Sequence, residues 1–163
     1  MKYRKPYSLQ KVLIAYNLIQ AVANLYITYT LIDCIMKYWD SRCIDRNNPK
    51  LPEMLEAYMR TGYLLYLIKF LDLLDTVFFV LRKKQSQVSF LHVFHHAGMC
   101  LIVYCGLNNL QLPGFYMVVG FAINTVVHVI MYTYYGLAAM GPQMEKYLWW
   151  KKHLTRLQIV RFS

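Results

Sequence analysis

The chain has 163 residues, of which 58% are hydrophobic, and its mean hydropathy is +0.28. That is too apolar for an ordinary soluble domain of this length, and long apolar stretches account for it, so the expected class is an all-α polytopic membrane protein. The formal charge of +10 does not mark a nucleic-acid-binding face, because the basic residues flank the apolar stretches in clusters, as in cytoplasmic membrane loops. A lipid bilayer is therefore the expected partner, and nucleic acid is not.

Met1–Lys11 is a short basic arm. Lys2, Arg4 and Lys5 follow Met1 directly, no apolar run begins before Val12 and no small-residue cleavage site follows, so no cleaved signal peptide is expected. Val12–Ile32 carries no charge and is long enough to cross a bilayer, the span continuing to about residue 35. Asn17, Gln20 and Asn24 inside it are spaced i, i+3, i+7 and share one face, expected to turn toward other helices. Tyr38–Ala57 reads as a connection of mixed charge with Pro49 and Pro52, a composition that a non-cytoplasmic loop tolerates. Of the four cysteines, Cys34, Cys43, Cys100 and Cys105, none forms a CxxC pair, so neither a zinc site nor a disulfide framework is readable. Cys43, in the loop, is a disulfide candidate if that face is oxidising.

The second span, Tyr58–Leu81, carries Lys69, Asp72 and Asp75 in its middle and is closed by Arg82, Lys83 and Lys84. A purely structural span avoids such charges. The third, Val88–Leu107, holds the stretch Gln87–His96, in which three of the five histidines, His92, His95 and His96, fall at i, i+3, i+4 and so on one helix face. Asn108–Gly114 is an uncharged turn ending in Pro-Gly. The fourth span, Phe115–Ala139, contains Asn124 and His128 and is ended by Gly141–Pro142. Glu145–His153, with Lys146, Trp149, Trp150, Lys151 and Lys152, reads as an interfacial belt. Leu154–Ser163 begins a further helix, giving four spans and the start of a fifth in one membrane domain.

The clusters Lys2/Arg4/Lys5/Lys11, Arg82/Lys83/Lys84 and Lys146/Lys151/Lys152/Arg156 fall on alternate connections and are assigned to the cytoplasm. A helical rise then places Asp72 ~15 Å from Arg82, His95 ~16 Å from Lys84 and His128 ~20 Å from Gly141. The three spans are thus expected to carry their polar residues at similar depth, as one buried site in the cytoplasmic half.

Lys69, Asp72 and Thr76 share a face at i, i+3, i+7, with Asp75 one position off it; their bland reading is a buried salt bridge. Asn124 and His128 form an i, i+4 pair continued by Met131, Tyr132 and Tyr135, which read blandly as a packing stripe. For the histidines two chemistries compete. HxxHH-type boxes hold di-iron pairs in membrane desaturases and hydroxylases, but such a site needs about eight histidines, whereas this chain has five. The other chemistry is acid–base or nucleophilic work on a carbonyl. Imidazole titrates near neutrality and can form an acyl intermediate, while an amide or a second imidazole stabilises an enolate or oxyanion.

Four stretches carry a resemblance to one family. Lys69–Thr76, KFLDLLDT, resembles the KxxExxDT box of the very-long-chain fatty acid elongase (ELO) family, with Asp72 in place of Glu. Gln87–His96, QVSFLHVFHH, is similar to its histidine box, and Asn124–Tyr135, NTVVHVIMYTYY, to its NxxxHxxMYxYY box. Leu154–Ser163, LTRLQIVRFS, resembles the TxxQxxQ box, with Gln158 in the first Gln position and Arg161 in the second. The resemblance implies an endoplasmic-reticulum 3-oxoacyl-CoA synthase that condenses a long acyl-CoA with malonyl-CoA, releasing CO2 and CoA, without a resident cofactor or metal. It also implies a bundle of about seven spans, of which this chain resembles the second to fifth and the start of the sixth. The expectation is therefore an incomplete member whose loop cysteine, Cys43, lacks its partner.

On that reading the catalytic set is His92, His95, His96, Asn124 and His128, and the substrate-binding set is Lys69, Asp72, Asp75, Thr76, Gln87, Tyr132, Tyr135 and Gln158. His95 is expected to attack the thioester, His128 and Asn124 to stabilise the malonyl-derived enolate, and His92 and His96 to orient the site or move protons with help from Asp72. Lys69 and the cytoplasmic basic residues suit the anionic CoA head group. A homo-oligomer and other elongation-cycle enzymes are the expected protein partners. The alternatives are a metal-dependent lipid desaturase or hydroxylase and an inactive product that associates with an intact elongase.

Overall fold

The computed structural model describes residues 7–41, 49–84, 88–108 and 115–150. The described residues form five α-helices: α1 Gln10–Lys37, α2 Leu51–Asp72, α3 Leu74–Leu81, α4 Phe90–Asn108 and α5 Phe115–Ala139. Two 3₁₀ turns, Trp39–Ser41 and Pro142–Tyr147, complete the secondary structure, and no strand occurs among these residues. The chain divides into two compact units, one built from α2, α3 and α4, the other from α1 and α5.

In the first unit α2 begins at Leu51, inside the stretch expected to be a loop to Ala57. Pro52 falls in the first turn, where its missing N–H costs nothing, and Glu53 beside it complements the helix dipole, so the polar composition of this stretch starts a helix instead of preventing one. The expected single span 58–81 is two helices. At Leu73 the backbone N–H donates to Phe70 O at 3.3 Å, three residues back, and the helix restarts at Leu74. α3 closes in a Schellman motif. Lys84 N–H donates to Phe79 O (2.9 Å), Lys83 N–H donates to Val80 O (3.1 Å), and Lys83 sits at φ 56°. α2 packs on α4, and a Cβ at Gly62 would stand 2.9 Å from Leu107 Cδ2, a measure of how close that approach is.

In the second unit α1 and α5 pack antiparallel. Gln10 Nε2 donates to Ala139 O near one end, and Thr28 meets Thr125 toward the other. Asn17, Gln20 and Asn24 are buried on the packed face of α1, as their spacing predicts, and Thr28 extends the row by one turn. α5 ends at Ala139, followed by Gly141 in the left-handed region (φ 112°) and Pro142.

Polarity is arranged inside out relative to a water-soluble protein. On α1 Gln20 and Asn24 are 0% exposed whereas Leu18, Ile19 and Tyr29 are 61–69% exposed. On α4 His96 is buried and Phe90, Phe94 and Leu101 face outward. A hydrocarbon surrounding favours this arrangement, since it rewards apolar outer faces and makes exposed amides expensive. Three helices are long and apolar enough to cross a membrane, Gln10–Lys37, Phe90–Asn108 and Tyr116–Ala139. The protein is accordingly a membrane protein. Leu154–Ser163, the expected start of another helix, lies outside the described residues, as does Cys43.

Candidate active site

The first unit concentrates its polar groups around the break in α2–α3. Lys69 Nζ donates to Asp72 Oδ2 at 2.9 Å, and both side chains are buried, Asp72 completely. The bridge is i, i+3 on the last turn of α2, so helix geometry alone brings the two together. Leu73 donates its N–H to Phe70 and not to the carbonyl of Lys69, and that carbonyl accepts the thiol proton of Cys100, on α4, at 3.1 Å. Asp75, in the first turn of α3, is buried, where the helix N-terminus favours a carboxylate. Thr76 is only half-buried. Of the two residues one turn beyond Asp72, Asp75 is the one held inside.

The three histidines stand together at the start of α4. The rings of His92 and His96 are 4.4 Å apart, and those of His95 and His96 5.6 Å apart and nearly perpendicular. His96 is buried; His92 and His95 are half-buried. His92 also lies against Phe79 of α3 at 5.5 Å, and its buried Nε2 has no hydrogen-bond partner among the described residues. Ser89 fixes where this cluster begins. It caps α4, its Oγ accepting the His92 N–H at 3.1 Å and its carbonyl the Val93 N–H at 3.2 Å. Ser89, Phe79 and Cys100 escaped the reading of the sequence. A Ser three residues ahead of a helical histidine is a readable cap signal; the contacts of Phe79 and Cys100 are tertiary and leave none. Gln87 lies outside the described residues.

The second unit gathers Asn124, Thr125, His128 and Tyr132 on the buried side of α5. Tyr132 is 0% exposed, and its ring is 5.6 Å from that of His128. Asn124 Oδ1 is buried without a hydrogen-bond partner among the described residues, an acceptor held away from water. From α1, Thr28 Oγ1 lies 2.8 Å from its acceptor Asn24 O and 2.9 Å from Thr125 Oγ1, and Thr125 donates to Ala122 O at 2.9 Å. The rings of Tyr16 and Tyr132 stand nearly perpendicular at 5.9 Å, and Gln20 Nε2 donates to Tyr16 Oη at 3.1 Å. Tyr135 is half-buried with its ring against Tyr134. Gln158 and Arg161 lie outside the described residues.

Chemically, the first unit offers a tight imidazole cluster on the same packed helices as a buried ammonium–carboxylate pair, and the second an imidazole beside a buried amide acceptor and a phenol. Imidazoles clustered this closely can pass protons or attack a carbonyl. Among the described residues no three His, Cys, Asp or Glu side chains are placed to hold one metal ion.

A family model described as "ELO: GNS1/SUR4 family" matches residues 1–163. The chain is 44% identical to very long chain fatty acid elongase 7 of Rattus norvegicus, the match covering 99% of this chain and 57% of that protein. It is 42% identical to very long chain fatty acid elongase 1 of Homo sapiens (99% and 57%) and 41% identical to elongase 7 of Drosophila melanogaster (99% and 49%). The chain spans about half the length of the curated relatives it matches. The buried motifs and the match along the whole chain lead to one conclusion: the chain belongs to the ELO (GNS1/SUR4) family.

Proposed function

We propose that this protein performs fatty acid elongation as a very-long-chain 3-oxoacyl-CoA synthase, condensing a long acyl-CoA with malonyl-CoA in the endoplasmic-reticulum membrane. One observation carries the reading: the elongase-like motifs hold polar side chains buried on these apolar helices, Lys69, Asp72 and His96 in one unit and Asn124, His128 and Tyr132 in the other. Charges and imidazoles held at membrane depth default to chemistry or transport, and the relatives are named for elongation.

His95 is the nucleophile of this proposal, half-buried and so accessible to substrate, with His96 against its ring. Its imidazole forms a C–N bond to the acyl carbonyl, the thioester C–S bond breaks, and CoA leaves with the imidazole proton. The malonyl C–C bond to the carboxylate then breaks, giving CO2 and an enolate, for which His128 and Asn124 are the stabilising groups. The enolate carbon attacks the acyl carbonyl, the C–N bond breaks, and the departing imidazolate takes up a proton from the medium through His92 or His96, which regenerates imidazole as the 3-oxoacyl-CoA is released. His92 and His96 move protons and orient His95, with Asp72 as their counter-charge. Lys69, Asp75, Thr76, Gln87, Tyr132, Tyr135 and Gln158 serve substrate binding. Decarboxylation drives the step, so no resident cofactor or metal is called for. In this reading α2 and α3 together form a fourth span, residues 154–163 begin a fifth, and the basic clusters face the cytoplasm and the CoA head groups. A second copy and the other enzymes of the elongation cycle are the proposed protein partners.

The test is radiolabelled malonyl-CoA with a panel of acyl-CoAs in microsomes carrying the protein. The expected result is label in a 3-oxoacyl product two carbons longer, reduced ~100-fold or more in His95→Ala and His128→Ala. Wild-type condensation by His95→Ala removes His95 from the nucleophile's role. Absence of label with the wild-type chain overturns the assignment of condensing activity to it.

A further inference from the structure

We propose that Tyr16 and Gln20 of α1 are positioning residues for His128, acting through Tyr132. The inference rests on the functional reading of His128 above, but the geometry behind it lies within the α1–α5 unit. Gln20 is fully buried, and its Nε2 donates to Tyr16 Oη at 3.1 Å. The two residues are i, i+4, so one turn of α1 holds the phenol in place. The rings of Tyr16 and Tyr132 then meet at nearly right angles, centroids 5.9 Å apart at 88°, a T-shaped arrangement that the ring quadrupoles favour. Tyr132 has no exposed surface, and its ring lies 5.6 Å from His128, one turn earlier on α5.

Each member of this series is restrained by the one before it. A phenol with no exposed surface is held by the side chains packed against it, the ring of Tyr16 among them. The imidazole of His128, itself 2% exposed, therefore has one wall fixed by a residue more than a hundred positions away in sequence. The contacts on either side set the spacing of the helices. Thr28 and Thr125 meet at 2.9 Å toward one end, and Gln10 holds the Ala139 carbonyl at the other. Neither Tyr16 nor Gln20 belongs to the four motif stretches. Both sit on a span whose amides read from the sequence only as a packing face.

The experiment measures the rate at which diethyl pyrocarbonate modifies His128, read by peptide mass spectrometry on purified protein in detergent, beside the condensation kinetics in microsomes. Tyr16→Leu is expected to speed His128 modification about five-fold and to lower kcat by a similar factor with the acyl-CoA KM unchanged. Gln20→Leu and Tyr16→Phe delete the same hydrogen bond without opening a large cavity. Each is expected to raise the rate about two-fold, and the double variant no further. Leu18→Ala, on the outward face, is expected to leave both readouts at the wild-type value. An unchanged His128 modification rate in Gln20→Leu and Tyr16→Phe overturns the proposal. So does an increase matched equally at the other histidines, which reports general loosening. If Tyr16→Leu does not accumulate, the two volume-conserving variants decide. Wild-type protein that fails to condense overturns the functional reading alone, because the modification rates still show whether Tyr16 and Gln20 fix His128.

Discussion

Lys69 Nζ sits 2.9 Å from Asp72 Oδ2 with both side chains almost wholly out of solvent, directly before the point where α2 breaks. A buried pair of this kind gains little over a well-packed apolar pair, but it is strongly destabilising to break from one side. Asp72→Ala, which strands a buried ammonium, is expected to cost ~3–5 kcal/mol, whereas the double change Lys69→Met with Asp72→Leu costs far less. Thermal unfolding of the detergent-solubilised protein separates the two. Equal losses would mean that the charges themselves are not what this turn depends on.

Ser89 caps the helix that carries His92, His95 and His96. Ser89→Ala is expected to cost ~1 kcal/mol, and Ser89→Thr or Ser89→Asp much less. Hydrogen exchange localises the effect: the His92 amide, which donates to Ser89 Oγ, is expected to exchange about five-fold faster, with amides beyond the first turns of α4 unchanged. Uniform acceleration along α4 would assign Ser89 a different role.

Lys83 occupies the left-handed position of the Schellman motif that closes α3, at φ 56°. A side chain there carries a backbone penalty of ~1 kcal/mol that glycine avoids. Lys83→Gly is expected to raise Tm by ~2–4 °C. Lys83→Ala, which removes the same charge but keeps a Cβ, is expected to give no increase. If the two variants behave alike, the charge and not the backbone is responsible.

The spans were legible where composition decides. α5 keeps the boundaries expected from Phe115 and Ala139, α4 begins two residues after the expected Val88, and the amide face of α1 is buried as its spacing requires. What composition could not convey lies around α2. Its first residues read as loop because Pro52, Glu53 and Glu56 are polar or helix-breaking on average, though Pro and Glu are at home in a first helical turn. The break at Leu73 has neither Gly nor Pro to announce it. Just beyond it Asp75, and not Thr76, shares the interior with Asp72. For the site, motif spacing found Lys69, Asp72, His96, Asn124 and His128 but neither Thr125 nor the supports of these residues. Tyr16 on Tyr132, Phe79 on His92 and Cys100 on Lys69 are contacts between elements, and no local pattern encodes them.

The Thr28–Thr125 contact joins residues 97 positions apart. At a synthesis rate of ~5–20 residues per second, α1 leaves the ribosome roughly 5–20 s before its partner exists. Throughout that interval its Asn, Gln and Thr side chains have no α5 to cover them. Insertion of α1 therefore calls for a temporary polar companion in place of α5, supplied by another helix, by the insertion machinery or by water retained near the lipid boundary. Changes that enlarge the stripe would then reduce the yield of inserted protein before they altered the finished fold.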